Sequence, residues 1–95
     1  MELKYSNRFV RQLKQYRQDE KLFLLLGKKI KHIQSVDAAA DISELVRIRK
    51  TTAHYRIKIK ISERVVYRVG IAIHNNAVWF ACIENDKKRF YRQFP

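Results

Sequence analysis

Residues 55–60 read Tyr-Arg-Ile-Lys-Ile-Lys, a strict alternation that fits one kind of element, a half-buried strand. Strand side chains repeat every two residues, so Tyr55, Ile57 and Ile59 share one face and Arg56, Lys58 and Lys60 share the other. Three like charges on one face repel, so that face meets water or meets phosphate. The sheet holding this strand therefore has a greasy side and a cationic side. The whole chain is biased the same way, with 21 Lys and Arg against nine Asp and Glu and a formal charge of +12 on 95 residues. Such an excess attracts a polyanion over long range but does not say whether it is nucleic acid, an anionic membrane surface or an acidic protein.

With 46% hydrophobic residues the chain can bury one small core, and its length suits a single domain over residues 1–95. A single cysteine, Cys82, excludes an internal disulfide framework and is expected to be a packed strand residue. The three scattered histidines, His32, His54 and His74, make no zinc set with it, so no metal and no cofactor are expected. The N-terminus lacks the apolar core of a signal peptide, and the longest apolar run, Leu22 to Leu26, is too short to cross a bilayer. These features predict a cytoplasmic protein with no membrane partner.

Along the chain, Glu2 to Tyr5 alternates as a short strand, and Ser6 or Asn7 can cap a helix carrying Phe9, Leu13 and Tyr16 on one face. Asp19 can cap a second helix whose apolar stripe is Leu22, Phe23, Leu26, Ile30 and Ile33, with Lys21, Lys28, Lys29 and Lys31 mostly off it. Gly27 weakens that helix without ending it. Periodicity is lost from Gln34 to Glu44, which predicts a loop, and returns briefly at Leu45, Val46 and Ile48. A strand then alternates from Val65 to His74, and Asn75-Asn76, which tolerates positive φ, turns the chain into a last strand from Ala77 to Ile83. That last strand is apolar on both faces, so it belongs inside the sheet or under a second layer. The expected fold is α+β: a short N-terminal strand and a two-helix hairpin packed on a small antiparallel sheet of three to four strands, followed by a basic tail.

Three stretches carry a resemblance. Tyr55-Arg56-Ile57-Lys58-Ile59, then Arg64-Val65-Val66-Tyr67, then the tail from Lys87 through Tyr91 to Phe94-Pro95 resemble, in order and spacing, the RelE/ParE superfamily of toxins from toxin-antitoxin pairs. The motifs lie in the second half of the chain, and the element order matches throughout. In the RelE-like branch the resemblance implies a metal-independent mRNA endonuclease that acts in the ribosome and inhibits translation. It implies as partners the ribosome, its mRNA and a cognate antitoxin that is acidic where it binds.

Carried over by position, the resemblance makes Arg56, Lys58, Arg64 and Tyr91 the catalytic set. Arg56 and Arg64 would hold the scissile phosphate, Lys58 would stabilise charge or shuttle a proton, and Tyr91 would stack on a base or orient the nucleophile. The alternative for Tyr91 is a side chain that docks the tail onto the core. Lys60, Arg68, Lys87, Lys88 and Arg89 are then RNA-binding. The family's His-Arg before the tail tyrosine is replaced by Asp86-Lys87, which leaves His54, His74 or Glu84 as candidate acids or bases. Two other readings stay open: a ParE-like gyrase inhibitor without catalysis, and an inactive basic RNA-binding relic. Trp79, with Phe80 on the opposite face, is expected in the core, the alternative being an aromatic platform for a base. Lys28, Lys29 and Lys31 form either a ribosomal RNA contact or a solvated helix face.

Overall fold

The chain begins with the predicted strand, β1 (Glu2–Tyr5), and Ser6 turns it into the helix α1 (Asn7–Gln15). The structure, a computed structural model, describes residues 1–48 and 53–94. Ser6 is extended, and its Oγ accepts from the Phe9 N–H at 3.0 Å while donating to the Ala81 carbonyl at 2.7 Å. One hydroxyl thus starts the helix and ties it to the far end of the chain. Asp19 starts α2 (Glu20–Ser35) in the same way, accepting from Leu22 N–H through Oδ1 and from the Tyr67 hydroxyl through Oδ2 at 2.7 Å. Burial, and then donation to this carboxylate, push the Tyr67 pKa up.

The remaining elements are β2 (Val46–Arg47), β3 (His54–Lys60), β4 (Val66–His74), β5 (Ala77–Glu84) and the helix α3 (Lys87–Gln93), with one 3₁₀ turn at Ala39–Asp41. They build one sheet in the order β1-β5-β4-β3-β2. Among the described residues the α+β class is as expected and β2 to β5 pair antiparallel as a four-stranded sheet, but the N-terminal strand joins that sheet as a fifth and makes it mixed. β1 runs parallel to β5, because the two helices between them give the chain room to return in the same direction. The two-residue β2 pairs only with Tyr55 and Arg56, and so short a strand leaves no alternation to read.

One face of this sheet is covered by α1 and α2, and the other only in part, where α3 packs on β4 and β5. On the first, Phe9, Leu22, Leu26 and Ile33 from the helices meet Ile57, Ile59, Tyr67, Val69, Ile71, Val78, Phe80 and Ile83. Tyr5, Phe9 and Phe80 pack ring to ring with centroids 5.2–5.9 Å apart, each pair adding roughly 0.5–1.5 kcal/mol beyond simple burial. A bulge explains why β5 reads as apolar on both faces. Gly70 pairs with Cys82 but Ile71 pairs with Phe80, so Ala81 is an extra residue and Phe80 and Ile83, three apart, face the same side. Cys82 faces the other side under Phe90 and Phe94 of α3. Asn75 and Asn76 make the β4–β5 turn at φ 50° and 61°, as their side chains predict.

Five further expectations need correcting. The basic tail is a helix, because the Asp86 carboxylate caps it by accepting from Arg89 N–H at 2.9 Å. That bond, the largest influence on it, holds the Asp86 carboxyl below its usual range. Trp79 is not core: at 36% exposure it lies on the α3 side of the sheet, with Lys4 Nζ 5.1 Å from its ring centroid, while Phe80 is buried on the opposite face. Phe23 is 40% exposed, one residue off the stripe that Leu22, Leu26 and Ile33 bury. Val65 precedes its strand, because Ser62 Oγ accepts from the N–H of both Arg64 and Val65 and holds residues 62–65 in a turn. Also, α2 runs to Ser35, into the segment expected to be a loop. Among the described residues no helix is long and apolar enough to cross a membrane.

Candidate nucleic-acid interface

The cationic face of β3 forms as its alternation requires. Ile57 and Ile59 are buried, Lys58 and Lys60 are exposed, and Arg56 is half-buried. Register extends the charge sideways: Lys58 lies opposite Arg68 on β4, and Arg68 lies opposite Glu84 on β5. Directly opposed side chains in an antiparallel pair have Cβ atoms about 4.5–5.5 Å apart, and like charges there destabilise the sheet. Lys58 and Arg68 are thus a like-charge pair, with the buried Glu84 as the one acid at the end of the row. Arg56 and Lys58, with Glu44 and Val46, line a shallow depression of about 280 Å³.

Beside that depression lies α3. Its Phe94 ring sits on Gly70, the residue opposite Arg56, and stacks on His54 with centroids 4.3 Å apart. A Cβ on Gly70 would come within 2.7 Å of Cys82 Sγ and 2.8 Å of Phe94 Cδ2, so only glycine lets α3 dock this close. Burial pushes the Cys82 thiol up to about 11. Tyr91 is half-buried and packs edge-on to Phe90 at 5.0 Å, so it helps to dock the helix whatever else it does. Lys87, Lys88 and Arg89 fill the exposed first turn of α3.

The structure separates some of the residues the sequence groups. Arg64 is exposed on the loop between β3 and β4, two residues before Val66, which pairs with Lys60. Along β3, Lys60 and Arg56 are four positions apart, roughly 13 Å at strand rise. Arg64 thus stands at one end of the cationic row, and Arg56 and α3 at the other. Glu84 is only 3% exposed, accepts from Gln12 Nε2 at 3.3 Å and lies 3.6 Å from Arg89 Nε. Buried under α3, it is not presented to a substrate on the strand face. Its Oε2 and the facing Arg68 Nε are both buried without a hydrogen bond, two opposite charges in one row. His74 is exposed at the far end of β4. Pro95, the last residue of the tail motif, lies outside the described residues.

A second feature adjoins this row. Ile48 N–H donates to the His54 carbonyl on the β2 side, and Ile73 N–H donates to the Ala53 carbonyl on the β4 side. Backbone direction alternates along a strand, so the N–H and C=O of Lys58 and Lys60 point away from β4, past the end of β2. Among the described residues no strand pairs with them there. Between this open edge and α2 runs a groove of about 660 Å³ with Leu25 and Ile59 in it and Lys28, Lys29, His32, Lys58 and Lys60 around it. Lys29 is paired with Glu44, and His32 Nε2 accepts from Ser43 N–H at 2.9 Å. Lys28 and Lys29 thus belong to a groove wall, while Lys31 is exposed outside it.

Comparison with family models, curated proteins and solved structures returns no match. The open edge of β3 was missed because a strand's neighbours are not written in its own alternation. Gln12 also carries no motif, yet it joins three elements: its Oε1 accepts from Ile83 N–H at 2.9 Å and its Nε2 donates to Gln93 Oε1 at 2.6 Å as well as to Glu84. β1 pairs only as far as Phe80, so beyond it this side chain occupies the edge of β5.

Proposed function

We propose that this chain is a RelE-like toxin, a ribosome-dependent mRNA endonuclease controlled by an antitoxin. The observation that carries the reading is the row of like charges, Arg56, Lys58 and Lys60 on β3 with Arg68 opposite Lys58, on a sheet face flanked by a cationic helix. Cleavage requires the 2′-hydroxyl to lose its proton and attack the adjacent phosphorus, and the 5′-oxygen to leave with a proton. Between these steps the phosphorane-like transition state carries extra negative charge, which fixed cations stabilise best. Arg56, beside α3, holds the scissile phosphate. Lys58 answers the charge that develops on it, and Arg64, at the far end of the row and too distant to share that phosphate with Arg56, holds another phosphate of the same strand. Tyr91, anchored on Phe90, stacks on a base or orients the nucleophile.

The antitoxin in this reading is acidic and extended where it binds. It occupies the groove between α2 and β3, where the outward backbone groups of Lys58 and Lys60 accept a further strand and the surrounding lysines accept its carboxylates. Occupying that groove covers Lys58 and so silences the row.

The test is induction without the antitoxin in bacterial cells, with new mRNA 5′ ends mapped for this chain and for Lys58→Ala. New ends confined to translated frames and lost in the variant are the expected result. Growth arrest with intact messages would support a gyrase inhibitor instead, and normal growth with intact messages a basic RNA-binding relic.

A further inference from the structure

We infer that the cleft between α1 and α3 is a second phosphate-binding surface, taking the backbone of an RNA segment other than the one on the strand face. The inference deepens the reading above, in which the partner is RNA, but stands on different residues. From Asn7 to Arg17 the chain has four cations, Arg8, Arg11, Lys14 and Arg17, and no acid. Arg8 and Arg11 are three apart on one helix face, where Cβ atoms lie about 5–6 Å from each other. Both are exposed, and neither is in an ion pair among the described residues. With Gln15 they line one side of a cleft of about 340 Å³ that Gln12 and Gln93 complete.

The glutamines make the cleft a built feature. Gln12 is fixed at three points by Ile83, Glu84 and Gln93, and it holds Gln93 by the carbonyl oxygen. The Gln93 NH2 is thereby left as a donor. The cleft therefore offers two guanidinium forks and a positioned carboxamide, and its lining has no apolar side chain. A docked protein or a membrane would need apolar contact at its centre, whereas a phosphate backbone needs donors and positive charge. The acid behind Gln12, Glu84, is buried and lies 3.6 Å from Arg89, so its charge is balanced there and leaves the charge of Arg8 and Arg11 uncancelled. RNA on the strand face and RNA in the cleft would thus flank α3 from two sides.

The test is binding of a short mixed-sequence single-stranded RNA, measured across salt concentrations, for Arg8→Gln/Arg11→Gln and for Lys14→Gln/Arg17→Gln. Both pairs remove the same charge from exposed positions of the same segment, and thermal unfolding checks that both variants fold. The cleft pair is expected to lose about tenfold or more in affinity and about 1.4 in the slope of log affinity against log salt, the value for two phosphate contacts on a single strand. The control pair should lose less than about threefold. Equal losses in both pairs would overturn the inference, as would 4-thiouridine RNA that crosslinks to the strand face but never to residues 8–15. Neither readout involves ribosomes or cleavage. A protein that cuts nothing but shows the selective loss keeps the cleft and loses the toxin reading; one that cuts and shows equal losses does the reverse.

Discussion

Lys58 has its backbone at an open sheet edge and its exposed side chain opposite Arg68, so its charge is available to whatever binds that face. Replacing it with alanine is expected to slow mRNA cleavage by about a hundredfold or more, as loss of one preorganised charge-stabilising donor does. Affinity for RNA should fall less than about tenfold, since one phosphate contact among many is lost. Parallel losses in both would mark Lys58 as a binding residue only. Cys82 gives a residue-scale test of the docked helix. Its thiol is pushed from 9.0 up to about 11 by burial, so the folded state keeps the proton that the unfolded chain releases. Stability should therefore be whole below pH 9 and decline toward pH 11, by about 2–3 kcal/mol at most. Denaturant midpoints at pH 8 and pH 10.5 should diverge for this chain and converge for Cys82→Ala once the tyrosine contributions common to both are subtracted. At this scale the sequence was informative wherever alternation or capping chemistry is local, as at Ile57, Ile59, Ser6, Asp19 and Asn75-Asn76. It misled at Trp79, whose exposure depends on how far α3 reaches, and at Phe23, which lies just outside the arc that α2 buries.

Among the elements, α3 decides how the outer face works. Its docking requires the bare surface of Gly70, and Gly70→Ala should cost about 1–3 kcal/mol, the usual penalty for forcing a methyl into a packed site. Amide exchange of α3 should then accelerate more than that of β3. Asp86→Ala removes the cap on a helix whose first turn is otherwise all basic, a poor match to the positive end of its dipole. About 1 kcal/mol of helix stability should be lost, again read as faster exchange over 87–93. If both variants left α3 exchange unchanged, the helix would be held by something other than its cap and its glycine seat. The tail did not read as a helix because seven residues with no complete apolar stripe carry little period, and the two that anchor it, Phe90 and Phe94, depend on Gly70 and Cys82 from distant strands. The parallel pairing of β1 was equally illegible, since Glu2–Tyr5 reads the same in either direction.

The whole molecule joins a sheet, apolar on its helix side, to an outer layer where cations outnumber acids. Its radius of gyration, 12.5 Å, is what about 95 residues give when folded as one compact unit. The +12 charge therefore works as a field over a small surface, and RNA affinity should fall steeply with salt, in proportion to the phosphates contacted. A shallow slope would mean that most of the charge is spectator. The most direct measurement is single-turnover cleavage of mRNA on programmed ribosomes by the purified chain and by Arg56→Ala, Lys58→Ala and Arg64→Ala, with binding to the same ribosomes measured alongside. The expected result is a cut message in the ribosomal complex, with cleavage lost in Arg56→Ala and Lys58→Ala and only weakened in Arg64→Ala, while ribosome binding is largely kept. A message left intact by the unaltered chain at saturating ribosome occupancy would contradict the assignment of the strand row to catalysis.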